Sequence, residues 1–160
     1  MIILGIDPGT TAIGYACLAN DRRTQTLLDA GLLRVPSSPI EDRLRAVYSQ
    51  IQAVIKKWHP DCLSIEKLFF AKNAKTAIAV SETRGIILLT SILAGLTVFE
   101  YTPLEVKKTI TGDGRADKRQ IKKMIGLTLP QSAQIRGRDD VFDAIAIALT
   151  CAFQTRLGGV

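Results

Sequence analysis

Residues 2–9 read IILGIDPG, an uninterrupted apolar run that ends at an acidic side chain and a Pro-Gly pair. A run of this kind predicts a strand that is buried on both faces of a sheet. Apolar residues return at 13–18 and at 26–35 after short turns, which predicts two further strands in an antiparallel meander. The first third of the chain is therefore expected to form three neighbouring strands, with Asp7 at the end of the first.

The rest of the chain alternates between helical and strand patterns. From Ile40 to Trp58 apolar residues recur every three or four positions, which predicts an amphipathic helix with Ser38 as its N-cap and Pro39 as its first residue. Residues 102–105 read TPLE, a capping box that predicts a helix ending at Gly112. The other predicted elements are strands at 62–66 and 97–101, helices at 73–93, 117–125 and 139–156, and a polar loop at 128–137.

This order of elements predicts an α/β protein with a mixed sheet and helices on its faces. The length of 160 residues indicates one domain over 1–160, and a composition that is 47% hydrophobic indicates a globular chain. No uncharged apolar stretch reaches the length of a membrane span, and the N-terminus lacks the basic region of a signal peptide. Three cysteines in apolar runs, Cys17, Cys62 and Cys151, predict buried free thiols in a reducing cytoplasm.

The positive charge of the chain is concentrated in one segment. The chain has 21 Lys and Arg against 15 Asp and Glu, a net charge of +6. Residues 105–138 hold nine of the basic and three of the acidic residues, so this segment accounts for the whole excess. Such a segment fits either contact with a nucleic-acid backbone or a solvated helix face, and composition favours neither.

Four acidic residues stand where a scaffold does not need them. Asp7 and Glu66 end apolar strands, while Asp140 and Asp143 open an apolar helix and share one of its faces. Each alone is explained by a turn or a helix start. Together they would repel one another unless a cation held them, and oxygen ligands without His or Cys favour Mg²⁺ or Mn²⁺. A carboxylate cluster beside a basic surface suggests two-metal phosphodiester chemistry, whereas the single histidine, His59, argues against a Ser-His-Asp triad.

Three segments carry a family resemblance: GIDPGT at 5–10 followed by Gly14-Tyr15, IEKLFFAKN at 65–73, and DVFDAIAIA at 140–148. They closely resemble the RuvC family of bacterial Holliday junction resolvases, in the ribonuclease H superfamily, and the resemblance covers essentially the whole chain. It implies a ribonuclease H-like fold with a five-stranded mixed sheet and a homodimer. It also implies divalent-metal hydrolysis of two symmetric strands of a four-way DNA junction, leaving 5′-phosphates and 3′-hydroxyls, in recombination and repair.

The resemblance also assigns roles by matching position. The metal ligands are Asp7, Glu66, Asp140 and Asp143, holding two Mg²⁺ ions per subunit with Mn²⁺ as a substitute. One ion would activate the attacking water and the other would stabilise the departing 3′ oxygen. Basic residues that act near the scissile phosphate are matched by Lys107 and Lys118. Stacking on junction bases is expected from Phe69 or its neighbour Phe70. Apart from these matched positions, contacts to DNA are expected from Lys72, Arg115, Lys108, Arg119, Lys122 and Lys123, the last four of which fit a plain surface as well.

Several questions stay open at this level. Asp139 has no clear counterpart in the family motif: it fits a helix-start acid, and its position four residues before Asp143 also allows it to lie near the face of Asp140 and Asp143. The apolar helix over 77–93 fits either dimerisation or core packing, and family resemblance implies a RuvA–RuvB branch-migration partner that no residue demonstrates.

Three other classes compete with this interpretation. YqgF-type nucleases share the opening strand but lack the Phe-x-x-Lys-Asn block. Actin-like ATPases share a phosphate loop of the Asp-Pro-Gly-Thr-Thr kind but need two such domains and a longer chain. A non-catalytic DNA-binding module would use the basic segment and keep the acids as helix caps, so it would bind a junction without cutting it.

Overall fold

A five-stranded mixed sheet with helices on both faces forms the protein, and the computed structural model describes residues 1–21, 24–67, 74–135 and 139–157. In chain order the elements are β1 (Ile2–Asp7), β2 (Ala12–Asn20), β3 (Gln25–Arg34), α1 (Ile40–Trp58), β4 (Cys62–Glu66), α2 (Ala74–Leu93), β5 (Thr97–Tyr101), α3 (Pro103–Thr111), α4 (Lys118–Thr128) and α5 (Asp139–Leu157), with a 3₁₀ helix at Pro130–Gln134. The strand order is β3-β2-β1-β4-β5. β1, β2 and β3 are antiparallel, and β4 and β5 are parallel to β1, which confirms the predicted sheet.

Each face of the sheet carries its own hydrophobic core, because successive strand residues point to opposite sides. Ile3 of β1 packs on the face covered by α5, α3 and α4, whereas Leu4 packs on the face covered by α1 and α2. Val47 and Ile51 of α1 are fully buried on that second face. The three cysteines are buried free thiols, as predicted.

Two glycines allow α5 to lie unusually close to the sheet. A Cβ atom at Gly14 of β2 would overlap the main-chain carbonyl of Asp140, and one at Gly5 of β1 would lie 2.7 Å from the Cβ of Ala148. A larger residue at either position would therefore push α5 away from the strands. Gly14 is also the pairing partner of Asp7. The start of α5 is thereby brought directly to the end of β1.

Local capping signals predicted some helix boundaries and missed others. The capping box of Thr102 and Glu105 is present, and α3 ends at Gly112 with a left-handed φ of 79°, as predicted. Ser38 is not the N-cap of α1, because Pro39 occupies that position and has no side chain that can accept a hydrogen bond.

The predicted end of α4 before Gly126 is wrong, since the helix continues to Thr128. Buried Ile125 and Leu129 flank the glycine, and their packing outweighs its cost of about 1 kcal/mol in a helix. The predicted loop at 128–137 contains the 3₁₀ helix Pro130–Gln134, whose Ser132 is buried. Among the helices described here, none is long and apolar enough to cross a membrane.

Candidate active site

Three elements bring the four predicted carboxylates to one end of the sheet. Asp7 is the last residue of β1 and Glu66 the last residue of β4. These strands are parallel neighbours, so both side chains lie at the same edge. Asp140 and Asp143 belong to the first turns of α5, which begins against Gly14 beside Asp7. The structure therefore assembles the set that the sequence singled out.

Burial and the neighbouring carboxylates act together on two members of the set, Asp7 and Glu66. Burial, followed by the charges of Glu66, Asp143 and Asp140, raises the pKa of Asp7 to about 7, although the charge of Lys118 opposes this rise. Burial and then the charge of Asp143 also raise the pKa of Glu66, and Lys118 again opposes. Negative charge in this site thus exceeds the positive charge that the chain supplies, as expected of a site that receives a cation.

The donor set fits a hard divalent cation in its chemistry, since every candidate ligand is a carboxylate oxygen. The carboxylates are not close enough together, however, to coordinate one ion in this structure. Within the ranges that the structure describes, no group of three or more His, Cys, Asp or Glu side chains is placed to hold a metal ion as it stands. Small side-chain movements would have to draw these carboxylates together around an ion.

Lys118, the first residue of α4, supplies positive charge to the cluster. Its Nζ lies 3.1 Å from Oδ2 of Asp143 and 3.4 Å from Oδ2 of Asp139. Burial lowers the pKa of this lysine, but its hydrogen bonds and charge interactions with Asp143 and Asp139 outweigh burial, so the pKa is raised. The ammonium of Lys118 therefore remains charged beside the cluster.

Asp139 is a site residue whose role the sequence did not reveal. Its Oδ1 lies 2.7 Å from Nζ of Lys122, and its Oδ2 accepts from Lys118. The hydrogen bond from Lys122 is the main reason that the pKa of Asp139 is lowered. Asp139 thus holds two lysines of α4 beside the carboxylates. The spacing of Asp139 four residues before Asp143 indicated that it could lie near the carboxylates, but its pairing with the two lysines depends on the packing of α4 against α5, which the sequence does not show.

A cavity of about 190 Å³ opens between α3, α4 and α5. Its polar wall is formed by Glu66, Asp143, Lys107 and Lys118. Its apolar wall is formed by Pro103, Val106, Ile121, Ala146 and Ile147. Lys107 and Lys118, which the sequence assigned to the scissile phosphate, therefore face the same space as two of the carboxylates.

The residues predicted to contact DNA have several surroundings. Those exposed to solvent around α3 and α4 are Lys108, Arg115, Arg119 and Lys123. Lys122 is half-buried, with its Nζ 4.8 Å from the ring centre of Phe142. Phe69, Phe70 and Lys72 lie outside the described residues.

Comparison with known proteins identifies the family. The sequence model of one protein family, described as crossover junction endodeoxyribonuclease RuvC, matches residues 3–151 of this chain. The chain belongs to the RuvC family. RuvC of Caldicellulosiruptor saccharolyticus is 44% identical over 151 residues and RuvC of Halothermothrix orenii is 42% identical over 150, each match covering 93% of this chain and 90% of the relative. T. thermophilus RuvC, solved in complex with a Holliday junction substrate, superposes with a TM-score of 0.90 at 30% identity, covering 99% of this chain and 96% of that one.

Membership of the RuvC family confirms the resemblance carried by the three sequence segments. The superposition on T. thermophilus RuvC extends over both chains, which confirms the ribonuclease H-like fold. The match over residues 3–151 also favours RuvC over the YqgF-type and actin-like interpretations, because it extends far beyond the opening motif on which those two interpretations rest. The name of the family describes an endodeoxyribonuclease, in contrast to a module that only binds DNA.

The raised pKa of Asp7 predicts how the stability of the metal-free protein depends on pH. Between the ordinary value of 3.8 and about 7, the folded protein keeps a proton that the unfolded chain releases. The contribution of Asp7 to stability is therefore greatest below this range and is lost as the pH rises through it. Asp7→Asn should flatten this dependence and raise the free energy of unfolding at about pH 8 by up to about 4 kcal/mol.

Urea unfolding in EDTA at several pH values measures this effect. Glu41→Gln, which alters an exposed acid on α1, should retain the wild-type slope. If the free energy of unfolding of Asp7→Asn depended on pH as it does in wild type, the Asp7 carboxyl would not be the group with the raised pKa.

Proposed function

We propose that this chain is a structure-selective endodeoxyribonuclease that resolves four-way DNA junctions in recombination and repair. The observation that carries the proposal is the convergence of Asp7, Glu66, Asp140 and Asp143 beside the lysines of α4 in a member of the RuvC family. A relative of the same fold, T. thermophilus RuvC, has been solved with a Holliday junction substrate. The domain spans 1–160, acts in the cytoplasm and works with a RuvA–RuvB branch-migration complex.

The four carboxylates hold two Mg²⁺ ions per subunit in this proposal, and Mn²⁺ substitutes for them. When bound, such ions supply a water of lowered pKa and stabilise charge on the departing 3′ oxygen. The charges of the other three carboxylates all act to raise the pKa of Asp7. Its carboxyl must lose its proton to serve as a ligand, so cation binding near neutral pH is accompanied by proton release.

Lys107 and Lys118 hold the scissile phosphate from the cavity side. Lys118 is suited to this task because its side chain is 58% exposed and stands at the N-terminus of α4, where the helix dipole also favours an anion. A phosphate that enters the cavity competes with Asp143 for the ammonium of Lys118. The lysine then stabilises the charge that develops on the phosphate in the transition state.

The DNA backbone lies along α3 and α4. Four exposed cations lie on these helices or on the segment between them: Lys108, Arg115, Arg119 and Lys123. Each neutralised phosphate releases counterions, so binding weakens as salt increases. Lys122 contributes to this surface, and Lys72 and Phe69 contact the junction from the segment after β4, Phe69 by stacking on a base.

A homodimer supplies the two nicks, with α2 as the shared surface. Ile87 of α2 is fully buried, and Ile86 and Leu88 pack partly buried against the same core. Four large apolar side chains of this helix remain 54–75% exposed: Ile78, Leu89, Ile92 and Leu93. The helix therefore serves core packing with one face and leaves an apolar face for a partner. A C₂ dimer uses this one surface twice and relates two active sites by a two-fold axis.

Cleavage of a synthetic four-way junction tests the proposed function. We expect paired nicks at symmetric positions in Mg²⁺, none in EDTA, and products that ligase seals directly because they carry 5′-phosphates and 3′-hydroxyls. A linear duplex of the same sequence serves as the control substrate and should remain intact. Equal junction binding in Mg²⁺ and EDTA without any cleavage would instead identify a DNA-binding module.

Lys118 and Lys122 should have separable effects although both contact Asp139. Lys118→Ala is expected to lower the cleavage rate of bound junction by about 10²-fold with little change in affinity, because the lysine acts on the transition state. Lys122→Ala should weaken binding modestly and flatten its salt dependence. Single-turnover rates at saturating protein and binding curves at several salt concentrations measure the two effects.

Lys57→Ala is the matched control for these lysines. Lys57 of α1 forms an ion pair with Asp29 of β3, and α1 lies on the other face of the sheet. It should affect neither the rate nor the affinity. If the variants of Lys118 and Lys122 lose affinity alike and cleave normally once saturated, the proposed division of roles is wrong.

A further inference from the structure

The end of β4, which carries Glu66, is paired more extensively on one side than on the other. Across the residues described, β1 pairs with β4 as far as Ile65, whereas β5 pairs with it as far as Glu66. The next amide, that of Lys67, donates to the carbonyl oxygen of Tyr101 in β5 at 2.8 Å. A strand end held from one edge opens more readily than one held from both, so the position of Glu66 depends on further support.

Arg84 of α2 provides this support. Its Nε donates to the main-chain carbonyl oxygen of Glu66 at 3.3 Å, and its Nη2 forms an ion pair with Glu100 of β5. The Arg84 side chain is only 15% exposed, so this guanidinium is largely shielded from water. Its rigid fork of donors suits two acceptors at once, and an ammonium on a flexible stem does not reproduce it.

The contact acts on the backbone of Glu66. Arg84 donates to the carbonyl oxygen and leaves the carboxylate free to face the cavity. We infer that Arg84, aligned by Glu100, is a positioning residue that fixes the Glu66 carboxylate in the active site. Because a displacement of about 1 Å can cost about 10²-fold in rate, a modest shift of the end of β4 is sufficient to matter.

Arg84 lies on the same helix as the proposed dimer surface. The same helix carries the exposed side chains of Leu89, Ile92 and Leu93, which form the proposed dimer surface. Arg84 thus connects the helix that meets the partner with the strand end that carries Glu66. The inference rests on the proposed function for its cleavage measurement, but its structural measurement is independent of activity.

Three variants test this role through the cleavage rate. Arg84→Ala should lower the single-turnover rate on prebound junction by about 10- to 100-fold while the junction affinity stays unchanged. Arg84→Lys should lose less, because one ammonium can keep one of the two contacts. Glu82→Gln is the matched control. Glu82 lies on α2 like Arg84, but its ion pair is with Arg43 of α1, so its loss should leave the cleavage rate unchanged.

Amide hydrogen exchange of the metal-free, DNA-free protein provides the second readout. The Lys67 amide should exchange about tenfold faster in Arg84→Ala than in wild type, and at the wild-type rate in Glu82→Gln. Failure of the wild type to cleave would overturn the proposed function alone, and exchange at Lys67 would then decide on Arg84. Unchanged exchange, a wild-type cleavage rate, or an equal loss in Glu82→Gln would each overturn the inference. Should Arg84→Ala fail to fold, Arg84→Lys decides by the same two measurements.

Discussion

Asp7→Asn should abolish junction cleavage and leave junction binding intact or tighter. In the proposed site the substitution removes the charge of a metal ligand, and it also removes a negative charge that repels the phosphate. We expect the single-turnover rate in Mg²⁺ to fall by about 10³-fold or more, since both the cation and the charge stabilisation depend on this residue. Quenched cleavage of prebound junction measures the rate, and a gel shift in EDTA measures the affinity.

The amide is nearly the same size as the carboxyl, so the fold should be retained. Asp42→Asn, an exposed residue in the first turn of α1, serves as the control and should cleave normally. Cleavage by Asp7→Asn at the wild-type rate in Mg²⁺ would remove Asp7 from the active site. Loss of binding together with cleavage would point to a folding or DNA-contact role instead.

Mixed dimers with one Asp7→Asn subunit should nick only one strand of each junction. One chain supplies one cluster of four carboxylates and therefore makes one cut, whereas resolution requires two cuts related by a two-fold axis. Mixed dimers are isolated with two different affinity tags, and a junction with four distinguishable strand labels reports each nick. We expect nearly complete loss of paired cuts while single nicks persist.

The control for this experiment is a mixed dimer of wild type with Lys57→Ala, prepared in the same way, which should keep paired nicking. Any exchange of subunits is detected as a redistribution of the tags after purification. A protein that is monomeric at micromolar concentration, with and without junction DNA, and still makes paired cuts would refute the dimer mechanism.

Much of the fold could be predicted because its signals are local. The apolar run at 2–6 and the three- and four-residue spacing from Ile40 to Trp58 specify a buried strand and a half-buried helix without reference to the rest of the chain. The signals failed where packing outweighed them. Gly126 has the character of a helix end, yet its buried neighbours Ile125 and Leu129 keep the helix intact.

The same distinction applies to the site. Asp7 and Glu66 could be found because an acid at the end of a buried strand has few structural uses, and Asp143 because it interrupts an apolar helix. For Asp139 the spacing from Asp143 indicated only a possible place near the cluster, and no pattern indicated Arg84. Each is an ordinary charged residue on a helix, and its role depends on which element lies opposite it in the folded protein.

The contact between α5 and the two strand glycines has a consequence for how this protein tolerates change. At Gly14 the main chain of one element rests on the main chain of another, with no side chain between them. The separation of Asp140 from Asp7 is consequently set by the close approach of α5 to the strands at Gly14 and Gly5, and not by the volume of a side chain placed between them. Apolar residues on the far side of α5 can be exchanged for others of different volume while the carboxylates keep their mutual distance. The distance between the carboxylates therefore does not depend on which apolar residues fill the far side of α5, so those residues can diverge while the candidate active site stays the same.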